Sequence, residues 1–178
     1  NVSDYAAKLL SDGFILGWFQ GKMEFGERAL GNRSILGDPR SINTKDKVNA
    51  AVKYREFYRP FAPAILAENA QDYFDIPDGV EVPFMEQVYM IKEEKRKEIP
   101  AVTHYDGTGR LQTVKKGQNK LFYELIEQFY SLTGVPIVLN TSFNLNGEPI
   151  VCTPKDAIRT FFSCGLDYLI IGNYVIEK

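Results

Sequence analysis

The sequence predicts a single α/β domain over residues 1–178, in which a twisted, mixed and open sheet is flanked by helices. Residues 135–139 form a continuous apolar run rich in β-branched side chains, which is typical of a strand buried on both faces. Residues 119–132 carry one apolar stripe at helical spacing. Strand and helix patterns alternate along the whole chain without an internal repeat or a low-complexity linker, which favours one mixed domain.

The other elements follow from local periodicity and from start and stop signals. Residues 21–40 are rich in glycine and polar side chains, and we predict a functional loop with one helical turn. Residues 101–114 contain a tight turn and predict a hairpin that brings Asp106, Thr108 and Arg110 to one edge. The remaining predicted helices are residues 3–11 (N-cap Ser3), 43–52, 69–74 and 153–164 (N-cap Thr153), and the remaining predicted strands are residues 14–19, 64–67, 84–91, 150–152 and a closing hairpin over 169–176.

The charge is small overall but unevenly distributed. The formal net charge is -2, which offers no general attraction to nucleic acid. Residues 22–59 nevertheless hold nine Lys and Arg against five Asp and Glu, a local charge of +4. One basic segment on a mildly acidic chain predicts a small anionic ligand more than a long polyanion.

The cysteines, the histidine and the hydropathy pattern argue against a disulfide-bonded protein, a metal site and a membrane span. Cys152 and Cys164 have neither metal-ligand nor redox spacing, which fits a reduced, cytoplasmic protein. With one histidine, His104, no metal site is predicted, and no apolar segment is long enough for a membrane span. A hydrolase built on Cys152 and His104 is conceivable, but the apolar strand around Cys152 predicts a buried, inert thiol.

The candidate site consists of cations and small polar groups that lack an obvious general base. Neither a phosphate-binding Walker loop nor a dinucleotide fingerprint is present. The donors suit phosphate or acyl-phosphate chemistry, in which positioning and charge neutralisation carry most of the catalysis. Surface ion pairs of the arginines, and an ordinary strand-to-loop exit after residue 139, are the structural alternatives. The candidate residues are Arg28, Arg33, Lys53, Arg59, Arg110, Asn140, Thr141 and Ser142.

Four sequence blocks, residues 21–36, 55–63, 104–114 and 139–144 with 147–150, resemble the O-carbamoyltransferases of the nodulation-protein and antibiotic-tailoring type. One departure is Glu27, where some members have proline. The resemblance covers only the C-terminal, YrdC-like domain of that family. It implies activation of carbamoyl phosphate with ATP and Mg²⁺ to carbamoyl-adenylate, and a missing N-terminal Kae1-like domain, with its own metal site, that moves the carbamoyl group to a hydroxyl of a small molecule or sugar.

The resemblance also implies roles for individual residues. It makes Lys53, Arg59 and Ser142 the expected catalytic residues, with Lys53 and Arg59 holding carbamoyl phosphate and the nucleotide phosphates. Two other classes of function stay open, a YrdC-like RNA- or nucleotide-binding module without transfer activity and a non-catalytic scaffold for the missing domain. Arg28 and Arg110 are expected at phosphate, Asn140 and Ser142 form a polar pair at the strand end, and Arg33, Thr141, His104 and Asp106 are expected only to lie near the site.

Overall fold

The computed structural model describes residues 1–54 and 59–178, so part of the second sequence block lies outside the described residues. Eight strands form one sheet in the order β4-β5-β3-β6-β2-β1-β7-β8. The pairs β1–β7 and β3–β5 are parallel and the other five are antiparallel, which confirms the predicted mixed, open α/β sheet. The strands are β1 (Leu16–Phe19), β2 (Arg33–Gly37), β3 (Ala62–Leu66), β4 (Gln87–Met90), β5 (Thr108–Val114), β6 (Ile137–Ser142), β7 (Tyr168–Ile171) and β8 (Tyr174–Glu177).

The strand β6 lies inside the sheet, between β3 and β2. Its residues Ile137, Val138 and Leu139 are fully buried, as the apolar run predicts for a strand covered on both faces. The strand continues through Ser142, so its polar end is part of the ladder. A central strand is fixed by two neighbours, and it therefore holds its polar end in a defined place.

Helices pack on this sheet, and the longest of them matches its prediction closely. The N-cap of the α4 helix is Asn119, whose side chain accepts a hydrogen bond from the Phe122 amide. Its C-cap is Gly134, which adopts the left-handed conformation. Its partner α1 is capped by Asn1 instead of Ser3, because the Ser3 hydroxyl donates to the Leu121 carbonyl of α4. The helices are α1 (Val2–Ser11), α2 (Ile42–Val48), α3 (Ala70–Tyr73), α4 (Lys120–Thr133) and α5 (Pro154–Phe162).

The prediction of one loop over residues 21–40 is wrong at its C-terminal end. Residues 33–37 form β2, which is buried along its whole length and pairs with β1 and β6. Arginine and serine at the start of this strand hide its apolar character, because both are polar yet both are buried in the fold. The strand ladder is therefore a tertiary effect that local composition does not reveal.

Two further local predictions are wrong. Pro100–Val102 is a 3₁₀ turn, and the antiparallel partner of β5 is β4, so residues 101–114 do not form a hairpin. Residues 150–152 join no ladder, and Cys152 is exposed, which contradicts the predicted buried thiol.

Within the described ranges, no helix combines the length and apolar character that crossing a bilayer requires.

Candidate functional site

A small polar cavity of about 60 Å³ lies at the end of β6. The loop before β2, the segments just before β3 and β4, the strand β5 and the end of β6 all contribute to its wall. Five of the eight predicted site residues meet here, although they come from three separate parts of the sequence. The wall consists of Glu27, Arg28, Ala29, Pro60, Met85, Arg110, Asn140, Thr141 and Ser142.

Lys53 lies behind this wall, with its ammonium group against Ser142. The α2 helix continues into a π-helical turn, Asn49–Lys53, and the following Tyr54 is left-handed, with φ of 45°. The Lys53 ammonium donates to the Ser142 carbonyl (2.7 Å) and hydroxyl (3.3 Å) and to the Asn144 carbonyl (3.1 Å) and side-chain oxygen (2.7 Å). A buried cation thus orients the polar end of β6, and single π-helical turns often mark functional sites.

Two non-glycine residues have a strained backbone, and one of them lies in the cavity wall. Within residues 1–54 and 59–178, the non-glycine residues with positive φ are Tyr54 and Met85. Tyr54 directly follows Lys53, and Met85, with φ of 57°, lines the cavity. Such residues cost on the order of 1–3 kcal/mol each and tend to occur at functional sites. The fold therefore maintains one strained residue in the cavity wall and a second next to Lys53 in the chain.

The two arginines of the first sequence block have different environments. Arg28 lines the cavity and is partly exposed, with a 3.2 Å ion pair to Glu27. Arg33 is 4% exposed, and its guanidinium stacks on the Phe19 ring at 3.5 Å. Its terminal nitrogens donate to backbone carbonyls, at 2.7 Å to that of Gln20 and 3.2 Å to that of Gly21. The structure therefore brings Arg28 to the cavity but uses Arg33 to join backbone segments, and burial lowers the pKa of Arg33.

A network of amides connects β6 to the loop that carries Arg28. The Asn140 side-chain nitrogen donates to the Ala29 carbonyl (3.1 Å) and to the Gln112 side-chain oxygen (2.8 Å). The Gln112 nitrogen in turn donates to the Leu30 carbonyl (3.0 Å). Sequence reasoning missed Gln112, although its position two residues after Arg110 places it on the same face of β5. The network holds the loop against the end of the strand.

His104 belongs to a polar cluster next to β5. Its Nδ1 is 2.9 Å from the Thr108 hydroxyl, which lies 2.7 Å from an Asp106 carboxylate oxygen. Because the carboxylate can only accept, the hydroxyl proton goes to Asp106 and the histidine Nδ1 must donate. Burial is the main cause that lowers the pKa of His104; Arg110 and Lys45 lower it further, while Asp106 raises it. His104 is therefore held as a neutral imidazole.

This neutral state predicts a pH dependence of stability. The pKa of His104 is lower in the folded state than in the unfolded chain, where it is about 6.5. The neutral side chain therefore contributes fully to the free energy of unfolding above about pH 6.5, and this contribution is lost as the pH falls through the folded-state pKa. The chain has one histidine, and the carboxyls with lowered pKa titrate below about pH 4.5. We expect the urea midpoint to fall between pH 7.5 and 5, and His104→Gln to flatten that change. An equal decline in both proteins would contradict this assignment.

The last of the eight predicted site residues, Arg59, lies next to the cavity wall in the chain. Arg59 is exposed and adjoins Pro60, which lines the cavity, while its neighbours at 55–58 are outside the described residues. In the part of the chain that the structure describes, no group of three or more His, Cys, Asp and Glu side chains could hold a metal ion.

Comparison with known proteins identifies the family. The family model described as the carbamoyltransferase C-terminus matches residues 7–178. The nodulation protein NolNO of Sinorhizobium fredii is 53% identical over 100% of this chain and 26% of its own length. The 3'-hydroxymethylcephem-O-carbamoyltransferase of Amycolatopsis lactamdurans is 35% identical over 96% of this chain and 32% of its own length. The chain therefore spans about a quarter to a third of these curated relatives.

A solved structure shares the fold. The crystal structure of full-length HypF in its phosphate- and nucleotide-bound form superposes with a TM-score of 0.67 at 18% identity, covering 95% of this chain and 20% of that chain. This likeness concerns the fold alone. The match over residues 7–178 and the identity to NolNO are specific, and on them the chain belongs to the carbamoyltransferase C-terminal family.

Proposed function

We propose that this domain binds carbamoyl phosphate and ATP with Mg²⁺ and forms carbamoyl-adenylate, as the activating part of an O-carbamoyltransferase. The observation that carries the proposal is the polar cavity, where Arg28 and Arg110 face the end of β6. The two guanidinium groups supply donors for a phosphate dianion and for charge that develops during transfer. The family membership supports the carbamoyl group as the moiety to be activated.

In this proposal each side chain has a physical role. Arg28 and Arg110 bind the phosphate, and Arg59, at the rim next to Pro60, contacts the nucleotide phosphates. Thr141 hydrogen-bonds the carbamoyl oxygens, and Ser142, whose hydroxyl donates to the Asn144 side-chain oxygen at 2.7 Å, positions the end of the strand. Lys53 touches Ser142 at 3.3 Å and brings positive charge to the end of the strand. Mg²⁺ arrives with ATP as part of the substrate.

The chemistry balances with one water molecule. Water and carbamoyl phosphate give carbamate and inorganic phosphate, and a carbamate oxygen then displaces pyrophosphate from the α-phosphorus of ATP. The curated relatives are three to four times longer than this chain. We assign transfer of the carbamoyl group to a hydroxyl acceptor, and the metal site for that step, to an N-terminal domain of the whole protein.

The test is to mix the chain with carbamoyl phosphate and MgATP and to measure both products. We expect phosphate and pyrophosphate in equal amounts, and no pyrophosphate when carbamoyl phosphate is omitted. Calorimetric titration of carbamoyl phosphate measures binding separately. If the folded chain bound no carbamoyl phosphate but bound RNA with a steep salt dependence, the nucleic-acid-binding alternative would replace the proposal.

A matched pair of arginine variants separates binding from folding. Arg28→Met should lower the affinity for carbamoyl phosphate about tenfold or more, since a hydrogen bond to a charged group contributes about 1.5–3 kcal/mol. Its stability should change by less than about 0.5 kcal/mol, because its ion pair with Glu27 is on the surface.

Arg33→Met should lower the stability of the fold and leave the affinity for carbamoyl phosphate nearly unchanged. Loss of the buried guanidinium leaves several carbonyls without donors, at about 1–3 kcal/mol for each buried group left unsatisfied. We expect the free energy of unfolding, measured in urea, to fall by about 2–4 kcal/mol, with little change in affinity at low temperature. A stable Arg33→Met that binds no ligand would place this side chain at the substrate instead.

A further inference from the structure

One acceptor in the wall of the cavity has no hydrogen-bond partner. Asn140 is 1% exposed, and its side-chain Oδ1 is buried without a partner among the described residues. Leaving such an acceptor unsatisfied costs about 1–3 kcal/mol. Asn140 lines the cavity with Arg28, Arg110 and Ser142, so the residue that carries the unsatisfied oxygen borders a polar cavity whose wall also holds two guanidinium groups and the Glu27 carboxylate.

The identity of this atom as oxygen follows from the amide network. The Leu30 carbonyl can only accept, so the Gln112 atom 3.0 Å from it must be the nitrogen. The other amide atom of Gln112 is then the oxygen, and it accepts from Asn140 at 2.8 Å. The same Asn140 nitrogen donates to the Ala29 carbonyl at 3.1 Å. Rotating the Asn140 amide by 180° would set oxygen against oxygen at both contacts, so the orientation is determined.

The cavity therefore requires a ligand with two properties. The arginines favour an anion, and the Asn140 oxygen favours a hydrogen-bond donor attached close to that anion. Acetyl phosphate, which is a dianion at neutral pH, has no donor to offer, whereas carbamoyl phosphate carries an NH₂ group next to its carbonyl. An acetyl group has nearly the same shape, but its methyl group would leave the Asn140 acceptor buried and unsatisfied.

We propose that Asn140 is a specificity-determining residue, whose Oδ1 accepts a hydrogen bond from the carbamoyl NH₂ and so selects carbamoyl phosphate over other acyl phosphates. This inference rests on the proposed function and adds the substrate group that is read and the atom that reads it. Sites built to hydrogen-bond a substrate N–H reject analogues that lack it, because the buried acceptor is then left unpaired.

The test compares two ligands of equal charge and similar shape, carbamoyl phosphate and acetyl phosphate, by calorimetric titration into the unmodified chain. We expect carbamoyl phosphate to bind about tenfold or more tightly, the worth of one buried hydrogen bond. Equal affinities would overturn the inference and leave the proposed function intact. Binding of neither ligand would overturn the proposed function and the inference together.

Two variants extend the comparison to the named atom. Asn140→Leu should reduce the preference to about twofold or less by weakening carbamoyl phosphate more than acetyl phosphate. Gln112→Met is the matched control, because it breaks the same network but keeps the Asn140 oxygen. A merely structural role would weaken both ligands equally in both variants, and a preference that survives in folded Asn140→Leu would contradict the assignment.

Discussion

Replacing Lys53 with methionine is expected to weaken carbamoyl phosphate binding about 30-fold or more, since truncating a buried, hydrogen-bonded charge at a binding site costs about 2–5 kcal/mol. The physical reason is the position of the ammonium group. It makes four hydrogen bonds to Ser142 and Asn144 and is 4% exposed, so its loss removes both the nearby positive charge and the support of the strand end.

The same variant should lose stability, because the acceptors it leaves behind on Ser142 and Asn144 are half-buried; we expect a decrease of about 1–3 kcal/mol in the free energy of unfolding. Lys47→Met is the matched control, since Lys47 lies on α2 and makes an exposed 3.3 Å contact with the Gly13 carbonyl. Calorimetric titration and urea unfolding of both variants measure the two effects. Unchanged affinity in folded Lys53→Met would remove Lys53 from the site.

Gly31→Ala is expected to destabilise the fold by about 2–5 kcal/mol, through an overpacked core and a strained backbone. Gly31 has φ of 108°, and a Cβ there would lie 2.3 Å from a ring carbon of Phe122, which is fully buried in α4. The Gly31 carbonyl also accepts a hydrogen bond from the Trp18 indole at 2.8 Å. Any movement that relieves the clash therefore disturbs a second buried contact.

Gly26→Ala separates the two contributions. Gly26 has φ of 138° in the same loop, but no atom lies within 4 Å of the position that a Cβ would take. We expect about 1–2 kcal/mol from the backbone alone. Urea unfolding of the two variants gives the difference due to contact with Phe122. If both variants lost the same stability, the ring would have to move aside without cost.

The sequence by itself determined the elements whose signals are local. The apolar stripe, the Asn119 cap and the Gly134 stop define α4, and the Thr153–Asp156 capping box with Pro154 at the first position defines the start of α5. The apolar run of β6 indicated a strand buried on both faces. The family resemblance, confirmed by the comparisons, depended on side-chain identities in short blocks and needed no geometry.

Only the tertiary structure decided which polar side chains serve a ligand and which serve the fold. Arg28 and Arg33 are the same residue type in the same sequence block, yet Arg28 lines the cavity and Arg33 stacks on Phe19. The difference arises because Arg28 lies in the loop before β2, whereas Arg33 is the first residue of that strand. The contact between Asn140 and the Ala29 carbonyl joins residues 111 positions apart, which no local pattern encodes. The hydrogen bonds of the Asn140 amide to Ala29 and Gln112, which fix its oxygen as the unsatisfied atom, exist only in the folded chain. Local signals build the elements, but the role of a polar group depends on what the folded chain places around it.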